Sequence, residues 1–221
     1  MLHPSTLKFL VGLKKNNNKA WFDEHRKEYD AAREDFNAFI QKVIDAFSKR
    51  ERSLAHVKAK DCMFRINRDV RFSKDKRPYK TNFGTYINAE GKKSLTAGYY
   101  FHFEPGNSFM GGGMWMPEPA ELAKVRQEID YNLPEFKKIV TSKKFKNVYG
   151  GLSSEKDYML LRVPKGFEAD NPAAEYLKCK SFVATAVISD PELTDKCIIT
   201  KTVQAYETLQ PLVAFLNEAI V

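Results

Sequence analysis

The stretch Ala97-Gly-Tyr-Tyr-Phe-His-Phe-Glu104 decides the fold, because its side chains alternate in character with a period of two. Such alternation is typical of a β-strand with one buried face and one polar face. The two faces are Tyr99, Phe101 and Phe103 on one side and Tyr100, His102 and Glu104 on the other. The first face predicts core packing, and the second places a titratable histidine beside a carboxylate.

Other strand-like segments lie on both sides of this one along the chain. They are residues 61–66, 84–88, 109–116, 158–163 and 181–188. The short spacings between the central segments favour an antiparallel meander. In the segment 61–66, the same alternation predicts that Arg65 emerges from the sheet at a strand end.

Helical patterns occupy both ends of the chain. The clearest is an apolar stripe at spacings of three and four, formed by Phe36, Phe39, Ile40, Val43, Ile44 and Phe47. Further helices are predicted near residues 7–13, from Lys19, over 117–130, 133–145 and 173–179, and from about 200 to the end with a kink at Pro211. We therefore expect an α+β fold, with N-terminal helices and a C-terminal helix packed on a mainly antiparallel central sheet, in a single domain over residues 1–221.

The composition indicates a globular protein, since 43% of the 221 residues are apolar and 13% are aromatic. No apolar run approaches the ~20 residues that span a bilayer, and the start lacks the layout of a secretory signal. We therefore expect a cytoplasmic protein without a membrane partner. Because Cys62, Cys179 and Cys197 are widely spaced, and the histidines are scattered, we predict no disulfide framework, no metal site and no cofactor.

Positive charge is concentrated in residues 65–80, which we call the basic loop, and the formal net charge of the chain is +8. The cations of the loop are Arg65, Arg68, Arg71, Lys74, Lys76, Arg77 and Lys80, and its anions are Asp69 and Asp75. Two like charges roughly 4 Å apart repel by roughly 4 kcal/mol at an effective dielectric constant of about 20. A cluster this dense is therefore stabilised when an anion binds to it.

The basic loop also contains residues that would order it. Phe72 and Tyr79 are predicted to anchor it in the core, and Pro78 restricts its backbone. Asp69 and Asp75 can orient guanidinium groups by charge-assisted hydrogen bonds. An ordered loop of this kind predicts a site for a compact anion that carries a phosphate or a carboxylate. The alternative is that these are surface side chains paired with the two aspartates, which contribute little.

The polar face of residues 97–104 offers a possible proton-transfer pair. His102 could act as a general base, oriented by Glu104, beside a bound anion. Ordinary alternation in a strand with one solvated face explains the same pattern. Whether the protein is an enzyme therefore stays open at this point.

Two other functions are compatible with the charge pattern. A nucleic-acid-binding module would use the basic loop together with a second lysine cluster at 137–146, and would stack a base on Tyr79 or Trp115. A non-catalytic interaction protein would dock an acidic partner on the loop, with Arg71 among the contacts.

Several stretches together carry a resemblance to a known family. They are an Asn-Asn pair near the start, Trp21-Phe22, Arg65-Ile-x-Arg-Asp-x-Arg-Phe-x-x-Asp-Lys-x-Pro-Tyr-Lys-Thr81, Gly98-Tyr-Tyr and Pro164-Lys-Gly-Phe167. The chain resembles a bacterial family of conserved hypothetical proteins, also found in fungi, that is classed as a domain of unknown function. The resemblance implies no particular reaction. The positions that it marks are Arg65, Arg68, Asp69, Arg71, Phe72, Asp75, Lys76, Pro78, Tyr79, Lys80, Thr81 and Arg126, with Lys165 and Lys180 near the later stretches.

We therefore expect an uncharacterised protein that binds an anionic small molecule, with nucleic acid or an acidic protein as the alternative partner. The predicted anion contacts are Arg65, Arg68, Arg71, Lys76, Lys80 and Arg126, of which Arg126 would close the pocket from the opposite side. The predicted orienting residues are Asp69, Asp75, Tyr79 and Thr81. If the protein is catalytic, His102 and Glu104 are the predicted proton-transfer residues.

Overall fold

The computed structural model describes residues 1–220 of the chain, and ten α-helices lie within them. The helices are α1 (Pro4–Lys15), α2 (Lys19–Glu24), α3 (Arg26–Phe47), α4 (Ala59–Cys62), α5 (Pro119–Tyr131), α6 (Leu133–Val140), α7 (Lys143–Tyr149), α8 (Ala174–Leu177), α9 (Asp190–Leu193) and α10 (Ile198–Glu218). Short 3-10 turns occupy Arg52–Leu54 and Lys156–Tyr158. The C-terminal helix α10 continues through Pro211, and the kink predicted there stays a prediction. No helix among the described residues is long and apolar enough to cross a membrane.

Four strands form one antiparallel sheet in the order β1-β2-β3-β4. They are β1 (Phe83–Ile87), β2 (Gly98–Phe103), β3 (Ser108–Met114) and β4 (Phe182–Ile188). A tight turn joins β2 to β3, in which the amide of Asn107 donates to the carbonyl of Glu104 over 2.9 Å. Gly106 has a φ of +74° in this turn, a value that glycine adopts without steric cost. The predicted α+β class and the antiparallel sheet are confirmed.

Two predicted strands are wrong. Residues 61–66 do not alternate in burial, because Cys62 and Met63 are adjacent and both buried. Cys62 ends helix α4, and Met63 makes only an isolated antiparallel bridge to Thr85. Residues 158–163 likewise begin in a 3-10 turn and contain one isolated bridge, from Met159 to Cys179.

The predicted helix over residues 133–145 is two helices, α6 and α7. The hydroxyl of Ser142 accepts a hydrogen bond from the amide of Phe145 at 3.2 Å and so caps the second helix. Serine is favoured at such positions because its side chain satisfies an amide that has no partner within the helix.

The chain divides into two compact units. The first unit consists of Met1–Lys92, Tyr100–Met110 and Val187–Gln204, and the second of Lys93–Tyr99, Gly111–Ala186 and the residues from Ala205 onwards. That the whole chain behaves as a single domain stays a prediction.

Aromatic side chains form the core of the first unit. Phe36 from α3 lies 5.5 Å from Phe83 of β1 and 5.9 Å from Phe103 of β2, measured between ring centroids. Phe39 meets Phe101 edge to face at 5.1 Å. The apolar stripe of α3 therefore packs on the aromatic face of the sheet, as its period predicts.

The second unit has its own core, in which Phe136 of α6 lies 5.2 Å from Phe215 of α10. The three glycines of β3 have a packing role in this unit. A Cβ atom at Gly111 would lie 2.1 Å from the carbonyl oxygen of Ala184, and one at Gly113 would lie 2.1 Å from that of Phe182. Neighbouring backbone therefore leaves no space for side chains here.

Candidate functional site

The basic loop is closed at its base by pairing of its two ends. Asn67 and Tyr79 form an antiparallel bridge. The amide of Arg68 donates to the carbonyl of Pro78 over 2.9 Å, and the amide of Lys80 donates to that of Ile66 over 2.8 Å. The loop is therefore hairpin-like, although its ends do not belong to long strands.

Tyr79 anchors the loop to the first unit. Its side chain is 7% exposed, and its ring stacks on Phe22 with 4.0 Å between centroids. The amide side chain of Asn17 donates to the carbonyl of Tyr79 at 3.0 Å and accepts from its backbone amide at 3.1 Å. The predicted anchoring by Phe72 is wrong, because this side chain is 94% exposed, and its ring lies against the guanidinium of Arg71.

The two aspartates of the loop are engaged by arginines. Asp75 accepts from Arg77 at 2.7 Å and from Arg68 at 2.8 Å, and these contacts hold the pKa of its carboxyl well below the usual range, Arg77 acting most strongly. Asp69 accepts from Arg71 at 2.7 Å, which lowers the pKa of Asp69. Three of the loop's arginines therefore form ion pairs within the loop itself, and one positive charge remains because Arg68 and Arg77 share Asp75.

The remaining cations of the loop have no carboxylate partner in the part of the chain that the structure describes. Lys76 donates to the carbonyl of Val70 at 3.0 Å. Lys80 is half-buried, and its ammonium lies 5.4 Å from the centroid of the Phe64 ring. Burial, and after it the charge of Arg65, lower the pKa of Lys80. The charge of Arg65 therefore acts on Lys80, and neither cation forms an ion pair among the described residues, although the charge of Arg65 also acts on Asp69.

His102 lies on the polar face of β2, with 14% of its side chain exposed. Its Nδ1 is 3.2 Å from the hydroxyl of Tyr100 and 3.4 Å from the Asn82 amide nitrogen, and its Nε2 is 3.4 Å from Glu104 Oε2. In this arrangement Nδ1 accepts and Nε2 donates. Burial lowers the pKa of His102 more than Glu104 raises it, and the charge of Lys80 lowers it further.

Glu104 is fixed by donors around its carboxylate. Thr81 Oγ1 donates at 2.7 Å, Asn107 Nδ2 donates at 3.1 Å, and the ammonium of Lys14 lies at 3.8 Å. Burial alone would raise the pKa of Glu104, but the hydrogen bonds from Thr81, Asn107 and His102 lower it below its ordinary value. The carboxylate is therefore ionised and oriented toward the histidine.

The structure thus brings together several of the predicted site residues within the first unit. One group of these residues consists of Arg65, Lys80, Thr81, His102 and Glu104. The charge of Arg65 acts on Lys80, the charge of Lys80 acts on His102, and Thr81 donates to Glu104. Arg68, Arg71 and Lys76 instead bond to groups of the loop itself.

Other predicted residues belong to the second unit. Arg126 donates to the carbonyl of Cys179 at 2.9 Å, and Lys180 donates to that of Asp157 at 3.1 Å. Trp115 is 57% exposed and meets Tyr158 edge to face.

Sequence reasoning missed three residues of the site. Lys14 and Asn17 come from distant positions in the chain, and no local pattern connects them to the loop. Asn82 directly precedes β1. A polar residue next to a buried strand is the sequence signal that could have identified it.

Comparison with known proteins places the chain in a family. The model of the family described as Conserved hypothetical protein (DUF2461) matches residues 5–215, so the chain belongs to this family. No curated protein and no solved structure matches the chain significantly.

Proposed function

We propose that the protein binds a compact anion, bearing a phosphate or a carboxylate, between Arg65 and Lys80. The observation that carries this proposal is that Lys80 is half-buried without a carboxylate partner, although two carboxylates are present in the same loop. Removing an ammonium group from water without compensating charge is costly. An anion at this position would offset that cost and the repulsion from Arg65.

The engaged arginines support a binding site of limited size. Asp69 and Asp75 hold Arg68, Arg71 and Arg77 in ion pairs, which order the loop and leave fewer cations for ligand. A long polyanion would need many free cations along its path. The geometry therefore favours a compact anion over nucleic acid.

Proton transfer by His102 is a second candidate, because its ring is next to both Lys80 and Glu104. Both ring nitrogens already have hydrogen-bond partners. Catalysis would therefore require a ligand that displaces the Asn82 or Tyr100 contact from Nδ1. Binding is the function that the arrangement supports without any rearrangement.

The test is calorimetric titration of the protein with inorganic phosphate, comparing Lys80→Met with the matched variant Lys74→Met. Lys74 is an exposed lysine of the same loop. Because a hydrogen bond to a charged group contributes about 1.5–3 kcal/mol, Lys80→Met should weaken phosphate binding at least about tenfold. Lys74→Met should change it little, since exposed charges are well screened.

Equal affinities in the two variants would reject Lys80 as the anion contact. If a single-stranded oligonucleotide replaces phosphate as the titrant and binds with a loss of about 10³-fold or more between 50 and 200 mM salt, as for six or more phosphate contacts, the protein binds polyanions instead. At a free concentration about 100 times its Kd, a specific ligand should raise the free energy of unfolding by about 2.7 kcal/mol.

A further inference from the structure

Arg126 is a buried cation without an acidic partner in the second unit. It lies on α5 between Val125 and Ile129, is 9% exposed and donates from Nη2 to the carbonyl of Cys179. Its Nε has no hydrogen-bond partner, and within residues 1–220 its guanidinium makes no ion pair. Burying a guanidinium without an opposite charge costs free energy, and binding of an anion beside it would offset this cost.

A groove of about 330 Å³ runs along α5 and the turn 164–167, and Arg126 is among the residues that line it. Pro164 and Phe167 supply half-buried apolar surface, and Tyr131 adds a phenol ring that is 72% exposed. The turn depends on Gly166, whose φ of +95° would strain any other residue. The volume is near the lower end of small-molecule sites, which span roughly 300–1,000 Å³.

The charges along this groove favour a ligand with one negative charge. Lys165 adds an exposed cation at its rim. Asp130 adds one carboxylate, which accepts from the side-chain amide of Asn171 at 2.6 Å. Arg126 and Lys165 together with Asp130 give the groove a net charge of +1. The rings beside it can contact the uncharged part of a ligand.

We propose that the groove binds a small organic monocarboxylate with an aromatic or apolar body. The carboxylate accepts hydrogen bonds from Arg126, whose planar fork suits a carboxylate, and the body lies against Tyr131 and Phe167. This site is separate from the one proposed at Lys80 and does not depend on it.

The test uses benzoate as the probe and two-dimensional ¹H–¹⁵N NMR of the full chain. Benzoate should shift amide signals in residues 123–131 and 165–167. Arg126→Met should weaken its binding at least about tenfold, because a charge-assisted hydrogen bond is lost. Lys165→Ala should weaken it no more than about fivefold, since the rim lysine is exposed. Lys74→Met is the control, because it changes an exposed lysine outside the groove, and it should leave benzoate binding unchanged.

Two further measurements keep the proposal open to rejection. If Arg126→Met does not fold, Asp130→Asn replaces it and should strengthen benzoate binding about twofold by removing a like charge. Benzoate shifts confined to other residues, or equal affinities in wild type, Arg126→Met and Lys165→Ala, would overturn the site. Tighter binding of phenyl phosphate than of benzoate would overturn the assignment to monocarboxylates.

Discussion

The residue type at position 84 determines whether the side chain of Tyr100 can reach His102. The hydroxyl of Tyr100 lies against the backbone of β1, and a Cβ atom added at Gly84 would be 2.6 Å from it. The same hydroxyl is 3.2 Å from Nδ1 of His102. The absence of a side chain at Gly84 therefore leaves the space that the phenol of Tyr100 occupies where it contacts His102.

Replacing this glycine should disturb both the strand and the histidine contact. We expect Gly84→Ala to lower the free energy of unfolding by about 1–3 kcal/mol, the usual cost of overpacking. Urea unfolding measures this loss. The double variant Gly84→Ala with Tyr100→Phe should recover part of it, because the clashing oxygen is removed. If the double variant loses as much free energy of unfolding as the two single variants lose together, the clash is contradicted.

At the scale of elements, the basic loop owes its order to its base more than to its tip. Tyr79 is buried at the base, and Asn17 makes two hydrogen bonds to its backbone. At the tip, Phe72 is solvent-exposed, and the ion pairs join residues of the loop to each other. Exposed ion pairs contribute little to stability.

Removing the side-chain amide at residue 17 should therefore loosen the loop. Asn17→Ala leaves a backbone donor and acceptor of Tyr79 without partners, which should cost about 1–3 kcal/mol. Amide hydrogen exchange should accelerate at Arg68 and Lys80, whose amides close the base of the loop. Asn16→Ala is the matched control, because the side-chain amide of Asn16 donates to the carbonyl of Gly12 at the end of α1 and not to the loop. Equal exchange rates in the two variants would show that Asn17 does not hold the loop.

The elements that the sequence predicts well are those with a long, regular period. The stripe of α3 and the alternation of β2 both reach the core as expected. The segment 61–66 is short, and its burial does not follow the alternation of its sequence, because a helix end and an extended residue place Cys62 and Met63 side by side in the core. Local pattern cannot separate such a junction from a strand.

For the site, the sequence identified the basic loop but not how its charges pair. Which cation keeps a free charge depends on distances across the loop, such as that between Arg68 and Asp75. Spacing along the chain does not determine these distances. The partners Lys14 and Asn17 are equally remote in sequence from the groups they contact.

At the scale of the whole molecule, the partly buried His102 links stability to pH. Burial holds the pKa of His102 below the ordinary value of 6.5, so the unfolded chain takes up a proton at a higher pH than the folded chain does. The free energy of unfolding should therefore fall as the pH is lowered through 6.5 toward the folded pKa of His102. The slope for one proton is at most about 1.4 kcal/mol per pH unit.

Glu104 adds a second step of the same sign at lower pH. Its pKa is lowered in the folded protein, so its contribution is lost as the pH falls below 4.5. Of these two steps, the one nearer neutrality belongs to His102 and should be absent in His102→Gln. Burial also lowers the pKa of the N-terminal amine from 8.0, which adds a step of the same sign in both proteins. Urea unfolding of both proteins between about pH 8 and pH 5 measures the difference in slope. If His102→Gln keeps the wild-type slope, another group sets the pH dependence, and the histidine is not held neutral by burial.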